Sequence, residues 1–375
     1  MLNAINWKKT ALVIVPALLL FSGCTNSGDN ERRSFIQIGE FTVNRISGAR
    51  TEVRDGAGRT LVLVPRHAPA PKDVDPNRLV RTPVERVAAY GFFDVATMRA
   101  LGVLESVLVG VTHPAEGWYI QEVRQGMAAG RIAYLGDSSG IDFERLKQQQ
   151  PELVLTWDPA IIPMLDTLGI PCAVTSTPTA MCLNARMRFV QFLAPFFGKE
   201  NEADAFFQRV NNALIAIRER TAGAGPTPKV MWGDIYEKRV LVEPGNAWVG
   251  ELVDLVESDY LFEDVFGTSC IEISVERFLY SGEEADILFT YRDKESGATS
   301  KAALARMNPL FASIRPLTQG KVYAPMPHYS QSGDRLDEIL TEIAAILHPE
   351  CYPGYQYRYF MELPDNDPAP TGGAL

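Results

Sequence analysis

Twenty-two residues near the middle of the chain, ENEADAFFQRVNNALIAIRERT (Glu200–Thr221), constrain its fold more than any other stretch. Apolar side chains recur at Ala203, Phe206, Phe207, Val210, Leu214 and Ile217, a spacing of three and four that lines one face of an α-helix. Glu200, Glu202 and Asp204 at its start and Arg218 and Arg220 at its end complement the helix dipole, and Gly223 supplies a stop. At the helical rise the segment runs roughly 33 Å, enough to cross one domain and reach another.

The sequences on its two sides resemble each other. Asp142-Phe143-Glu144-Arg145-Leu146 followed by Leu153-Val154-Leu155-Thr156-Trp157 is echoed by Ser274-Val275-Glu276-Arg277-Phe278 followed by Ile287-Leu288-Phe289-Thr290-Tyr291. In each half a helix opens on a Glu-Arg pair, and an apolar strand follows that ends in Thr and an aromatic.

Around these units the chain alternates strands (84–90, 106–111, 152–157, 172–175, then 229–235, 287–291, 321–324) with helices (93–101, 143–150, 160–168, then 248–256, 275–279, 302–307, 336–347). That rhythm implies parallel sheets flanked by helices. The fold class expected is α/β, with two Rossmann-like lobes, each with a parallel central sheet, joined by one long α-helix.

A hairpin is expected over 51–65, turning at Asp55-Gly56-Ala57-Gly58, and a Pro-rich loop over 67–83. A helical segment at 184–197 is expected to be interrupted at Pro195 and Gly198. The organisation read from this is a signal peptide at 1–23, a tether and extension at 24–50, an N-terminal lobe at 51–183, a linking helical region at 184–222, a C-terminal lobe at 223–350 and an irregular tail at 351–375.

At the amino terminus Lys8 and Lys9 precede an apolar run from Ala11 to Phe21 that is short for a bilayer span and ends in Phe21-Ser22-Gly23-Cys24. This resembles the bacterial lipobox, which implies lipidation of Cys24 and a membrane-anchored lipoprotein facing the periplasm or cell exterior. A net charge of −10 without a basic stripe argues against a nucleic-acid partner. Cys172, Cys182, Cys270 and Cys351 allow three pairings. Cys172 with Cys182 and Cys270 with Cys351 would each stay within a lobe, and free buried thiols are the alternative. Without CxxC or CxxH spacing a structural zinc site is not expected.

Across 51–349 the order of TEVRDGAGRTLVLVP, VERVAAYGFFDVATMRALGV, GIDFERLKQQQPELVLTW, LDTLGIPCAVT, the long helix and PLTQGKVYAPM resembles the substrate-binding proteins of ABC importers for iron-siderophore, haem and cobalamin. The resemblance implies a monomer that captures a metal chelate between its lobes, with limited motion about the helix, and delivers it to a permease dimer with its ATPase subunits. The chelate is cargo; no cofactor is implied. Glu144 and Glu276 match the positions that dock onto permease arginines. Solvated first-turn carboxylates favoured by the helix dipole are the plainer reading of both.

Ligand contacts are expected from loops at the strand ends. These hold Tyr90, Trp118, Tyr119, Trp157, Tyr236, Trp248, Tyr291 and Tyr329, flat surfaces with polar tips that suit a large conjugated ligand. Arg239, Arg292 and Arg335 are candidates to neutralise ligand carboxylates, and Tyr119, His113 and His328 to ligate haem iron. Each has an ordinary structural alternative as an ion-pair or core residue. No Walker loop or HExxH is present and the four histidines are scattered, so an enzyme is not expected. A surface scavenger of haem or corrinoid without a permease partner, or a chelatase-like enzyme, are the competing functions.

Overall fold

The computed structural model describes residues 34–46, 50–137 and 140–367; the signal segment and Cys24 lie outside the described residues. Three sheets organise these residues. The first holds β1 (Ser34–Ile38), β2 (Phe41–Ile46), β3 (Arg50–Arg54), β4 (Thr60–Pro65) and β5 (Leu79–Thr82), in that order. β3 and β4 form the expected hairpin. The polar lead expected as tether and extension enters this sheet as β1 and β2, and the stretch expected as a Pro-rich loop contains β5, paired parallel to β4.

The hairpin turn explains its own composition. Asp55 accepts the backbone N–H groups of Ala57 (3.1 Å) and Arg59 (2.9 Å) and the Arg59 guanidinium (2.7 Å). Its second oxygen takes the N–H of Val174, while Arg59 donates to the carbonyl of Cys172. A Cβ at residue 56 would lie 1.7 Å from the carbonyl oxygen of Ser176, so only glycine allows the turn to close on its neighbour.

The second sheet is the N-terminal lobe. Its elements are β6 (Val87–Ala89), α1 (Phe92–Ala100), α2 (Leu104–Val107), β7 (Leu108–Val111), α3 (Gln121–Ala128), β8 (Ala133–Tyr134), α4 (Phe143–Gln148), β9 (Leu153–Thr156), α5 (Ile162–Leu168) and β10 (Cys172–Val174). The strand order is β10-β9-β6-β7-β8, all parallel, with the middle strands buried throughout. Such burial on both faces is what a parallel sheet flanked by helices requires.

Two helices follow, α6 (Leu183–Phe197) and α7 (Glu200–Thr221). α6 was expected to break at Pro195 but continues through it and ends at Gly198, whose φ is +64°. Pro195 lacks the N–H that would reach the Gln191 carbonyl, and the helix is carried through it by packing, since Phe189, Phe192, Leu193, Phe196 and Phe197 are all buried. α7 has the expected bounds and buries Ala203, Phe206, Val210 and Ile217 between α6 and the C-terminal lobe. Arg45 of the first sheet reaches Glu200 at its start (2.8 Å).

The third sheet is the C-terminal lobe: β11 (Lys229–Tyr236), β12 (Arg239–Val242), α8 (Trp248–Leu255), β13 (Asp259–Tyr260), β14 (Ile271–Ile273), α9 (Val275–Glu284), β15 (Ile287–Phe289), α10 (Lys301–Met307), α11 (Arg315–Thr318), β16 (Lys321–Pro325), α12 (Leu336–Leu347) and β17 (Phe360–Glu362). Its order is β14-β12-β11-β15-β16-β17, with β13 beside β11. The central strands β11, β15 and β16 are parallel, and β12, β14 and β17 add antiparallel edges. Among the described residues no strand is shared between the lobes.

β17 falls in the tail expected to be irregular. Glu342 of α12, fully buried, accepts the N–H groups of Arg358, Tyr359 and Phe360 at 2.7–2.8 Å and so holds this segment against β16. All four described cysteines are free, and neither pairing considered from the sequence forms. Among the described residues no helix is long and apolar enough to cross a membrane.

Candidate functional site

The carboxyl ends of the parallel strands in the two lobes meet at one seam. Tyr119, after β7, donates its hydroxyl to Glu295, after β15 (2.6 Å). The Gln331 amide, after β16, accepts the Tyr119 N–H (2.7 Å) and donates to the Gly117 carbonyl (2.6 Å). Arg99 of α1 pairs with Asp334, whose side chain is 8% exposed. The lobes are therefore latched across the cleft.

On the N-terminal side Trp157 directly follows β9 and is 46% exposed, packed near Gly91. Asp94 lies buried beneath it, in the first turn of α1. One of its oxygens accepts the Thr175 hydroxyl (3.2 Å) and the other has no partner, and burial pushes its pKa up to about 7. Tyr119 completes this wall.

The C-terminal wall contains a cavity of about 240 Å³ lined by Trp232, Tyr291, Tyr329 and Phe360, with Thr290 and Asp293 at its edge. Trp232 stacks on Phe289 with centroids 4.4 Å apart, and Tyr329 packs 4.9 Å from Phe360. The Tyr291 hydroxyl is sealed from water beside Glu243 and Cys270, and burial raises its pKa. Glu243 is itself buried and accepts the Ser269 hydroxyl (2.8 and 2.9 Å), its pKa raised by desolvation.

Other residues put forward from the sequence have different surroundings. Tyr90 belongs to a core cluster with Leu146, Val154 and Leu165. Trp118 is 1% exposed, donates to the His113 carbonyl (3.0 Å) and meets Phe92 edge-on. Trp248 opens α8 and packs edge-on to Trp232 (6.3 Å). The His113 ring packs 4.1 Å from Phe92 and the His328 ring lies between Tyr119 and Tyr359; burial lowers the pKa of both.

The three arginines proposed to meet a carboxylate already have protein partners. Arg239 pairs with Glu272 on the exposed β12–β14 edge. Arg335 pairs with Asp334 and Glu338. Arg292 reaches Asp234 (3.1 Å) and the Ile235 carbonyl (3.0 Å) and covers the ring of Tyr236, whose pKa burial pushes up to about 12. Glu144 and Glu276 occupy equivalent places, the second positions of α4 and α9, behind caps made by Asp142 and Ser274, and both are exposed.

Arg186 of α6 was not singled out from sequence. It sits at the floor of the seam, 3.7 Å from the Phe93 ring centroid and 5.9 Å from that of Trp248. Its Nε is sealed without a partner, and among the described residues no carboxylate lies within ion-pair distance. A sign was present: Arg186 falls on the apolar stripe of its helix, three and four residues from Leu183, Phe189 and Val190.

A family model described as "Periplasmic binding protein" matches residues 87–327, well over half of the chain. An uncharacterized lipoprotein of Methanocaldococcus jannaschii is 24% identical, covering 82% of this chain and 77% of that protein. A periplasmic heme binding protein from Pseudomonas aeruginosa superposes with a TM-score of 0.58 at 19% identity, over 77% of this chain and 100% of that one. Helicobacter pylori CeuE in a Ni-His complex superposes equally well, 0.58 at 19% identity, over 81% of this chain and 90% of the other. At such identities the structural likeness speaks to the fold.

Proposed function

The chain belongs to the periplasmic binding protein family, and from that premise we propose that it is the lipid-anchored solute-binding component of an ABC importer, with an iron chelate (siderophore or haem) or cobalamin as cargo. The reading is supported most by one observation: aromatic side chains stand at the strand ends of both lobes, Trp157 and Tyr119 in one and Tyr291 and Tyr329 in the other, with Tyr119 reaching across to Glu295 and the His328 ring. Faces of this kind bind flat conjugated ligands.

The C-terminal cavity of about 240 Å³ is smaller than the roughly 300–1,000 Å³ usual for small-molecule sites. A chelate would therefore enter with the Tyr119–Glu295 and Gln331 contacts released, and close the lobes over itself. Anchorage through Cys24 would keep the protein at the membrane, with Glu144 and Glu276 directed at the permease.

The test is a thermal-shift and tryptophan-quenching panel with haemin, ferric siderophores and cyanocobalamin. One member should raise the melting temperature by stabilising the native state and quench Trp157. A panel without any shift or quench would overturn the proposal.

A further inference from the structure

We infer that Arg186 is the anchor for a carboxylate on the cargo, so that the cleft selects an anionic chelate over a neutral one; this rests on the solute-binding reading above. A buried guanidinium ordinarily has a carboxylate or several carbonyls as partners, because an uncompensated charge in a low-dielectric site is costly. Every other arginine of the seam obeys this rule: Arg99 has Asp334, and Arg292 has Asp234 and a carbonyl. Arg186 has neither.

What surrounds it defines the missing partner. The Phe93 ring of the N-terminal lobe covers the guanidinium face at 3.7 Å, and Trp248 of the C-terminal lobe flanks it at 5.9 Å. Covered faces leave the edge, where the N–H groups lie in one plane and match the two oxygens of a carboxylate. Nε is sealed on the protein side while the residue as a whole stays partly exposed, so its remaining accessible surface belongs to other atoms. Desolvation lowers the Arg186 pKa, and Tyr329 and Glu243 are the ionisable groups that act against this. Glu243 has its own hydrogen bonds from Ser269 and does not reach the guanidinium.

The experiment compares the full-length protein with its Arg186→Gln and Arg186→Lys variants, using haemin against haemin dimethyl ester, and ferric citrate against ferrioxamine and cyanocobalamin, which lack a free carboxylate. The wild type should bind a carboxylate-bearing member at least tenfold more tightly than the carboxylate-free probes. Arg186→Gln should erase that preference, and Arg186→Lys should keep part of it. Unliganded melting temperatures should not fall in Arg186→Gln, since the charge it removes is unpaired; a fall with unchanged affinity would assign Arg186 a packing role and overturn the inference. Preferential binding of a carboxylate-free probe would overturn it too while sparing the solute-binding proposal. Binding of no probe would overturn both.

Discussion

Asp94 shows what a single residue costs at this seam. Its carboxyl is 1% exposed, has one hydroxyl partner, and titrates near pH 7 instead of 3.8 because burial disfavours the charge. The folded state thus holds the proton more tightly than the unfolded chain. The stabilisation this gives is complete below about pH 4 and is lost as pH rises through about 7. Asp94→Asn keeps the neutral shape, so it should match the wild type at pH 4 and exceed it at pH 8, by on the order of 4 kcal/mol at most. Denaturant melts at the two pH values check this, and parallel profiles would refute it. Much of the aromatic character of the seam was readable from sequence, because Tyr119, Trp157, Tyr291 and Tyr329 follow strand ends. Burial was not readable: Tyr90 and Trp118 sit in the same kind of loop yet fill the core. The same holds for charge, since the partner of Arg292 lies 58 residues away and the lack of a partner for Arg186 is a tertiary fact.

Among elements, α7 was legible to its end residues because a long apolar stripe, acidic start and basic finish all agree. β1, β2, β5 and β17 were not. β5 and β17 are short and owe their places to β4 and to Glu342, whereas β1 and β2 pair locally, with each other and with β3, in a polar lead whose alternation of buried and exposed residues is weak. α7 packs against α6 and α12, and Arg209 ties it to Asp337 (3.1 Å) and the Asp334 carbonyl (2.8 Å). A proline at Asn211 removes a hydrogen bond in mid-helix, at a cost of about 3 kcal/mol or more. Asn211→Pro should lower the unfolding midpoint accordingly and weaken ligand affinity with it. Normal affinity in a destabilised variant would mean that α7 does not set the spacing of the lobes.

For the molecule as a whole, the lobes keep separate sheets and touch through Tyr119, Gln331 and the Arg99–Asp334 pair. The exposed carboxylates of α4 and α9 stand apart from these contacts. Charge reversal of both, Glu144→Arg with Glu276→Arg, should abolish chelate uptake by cells while leaving affinity in solution within twofold. Uptake at the wild-type rate would instead favour a scavenger that needs no permease. The turn at residues 55–59, clasped onto β10, has a consequence for biogenesis. Val174 is 119 positions from Asp55, and a chain threaded across a membrane amino end first delivers the turn long before its clasp. Closing so long a loop is slow. The strands of the leading sheet pair within residues 34–82, but the clasp that ties its turn to β10 can form only once residue 174 has emerged, about a third of the chain after the turn itself.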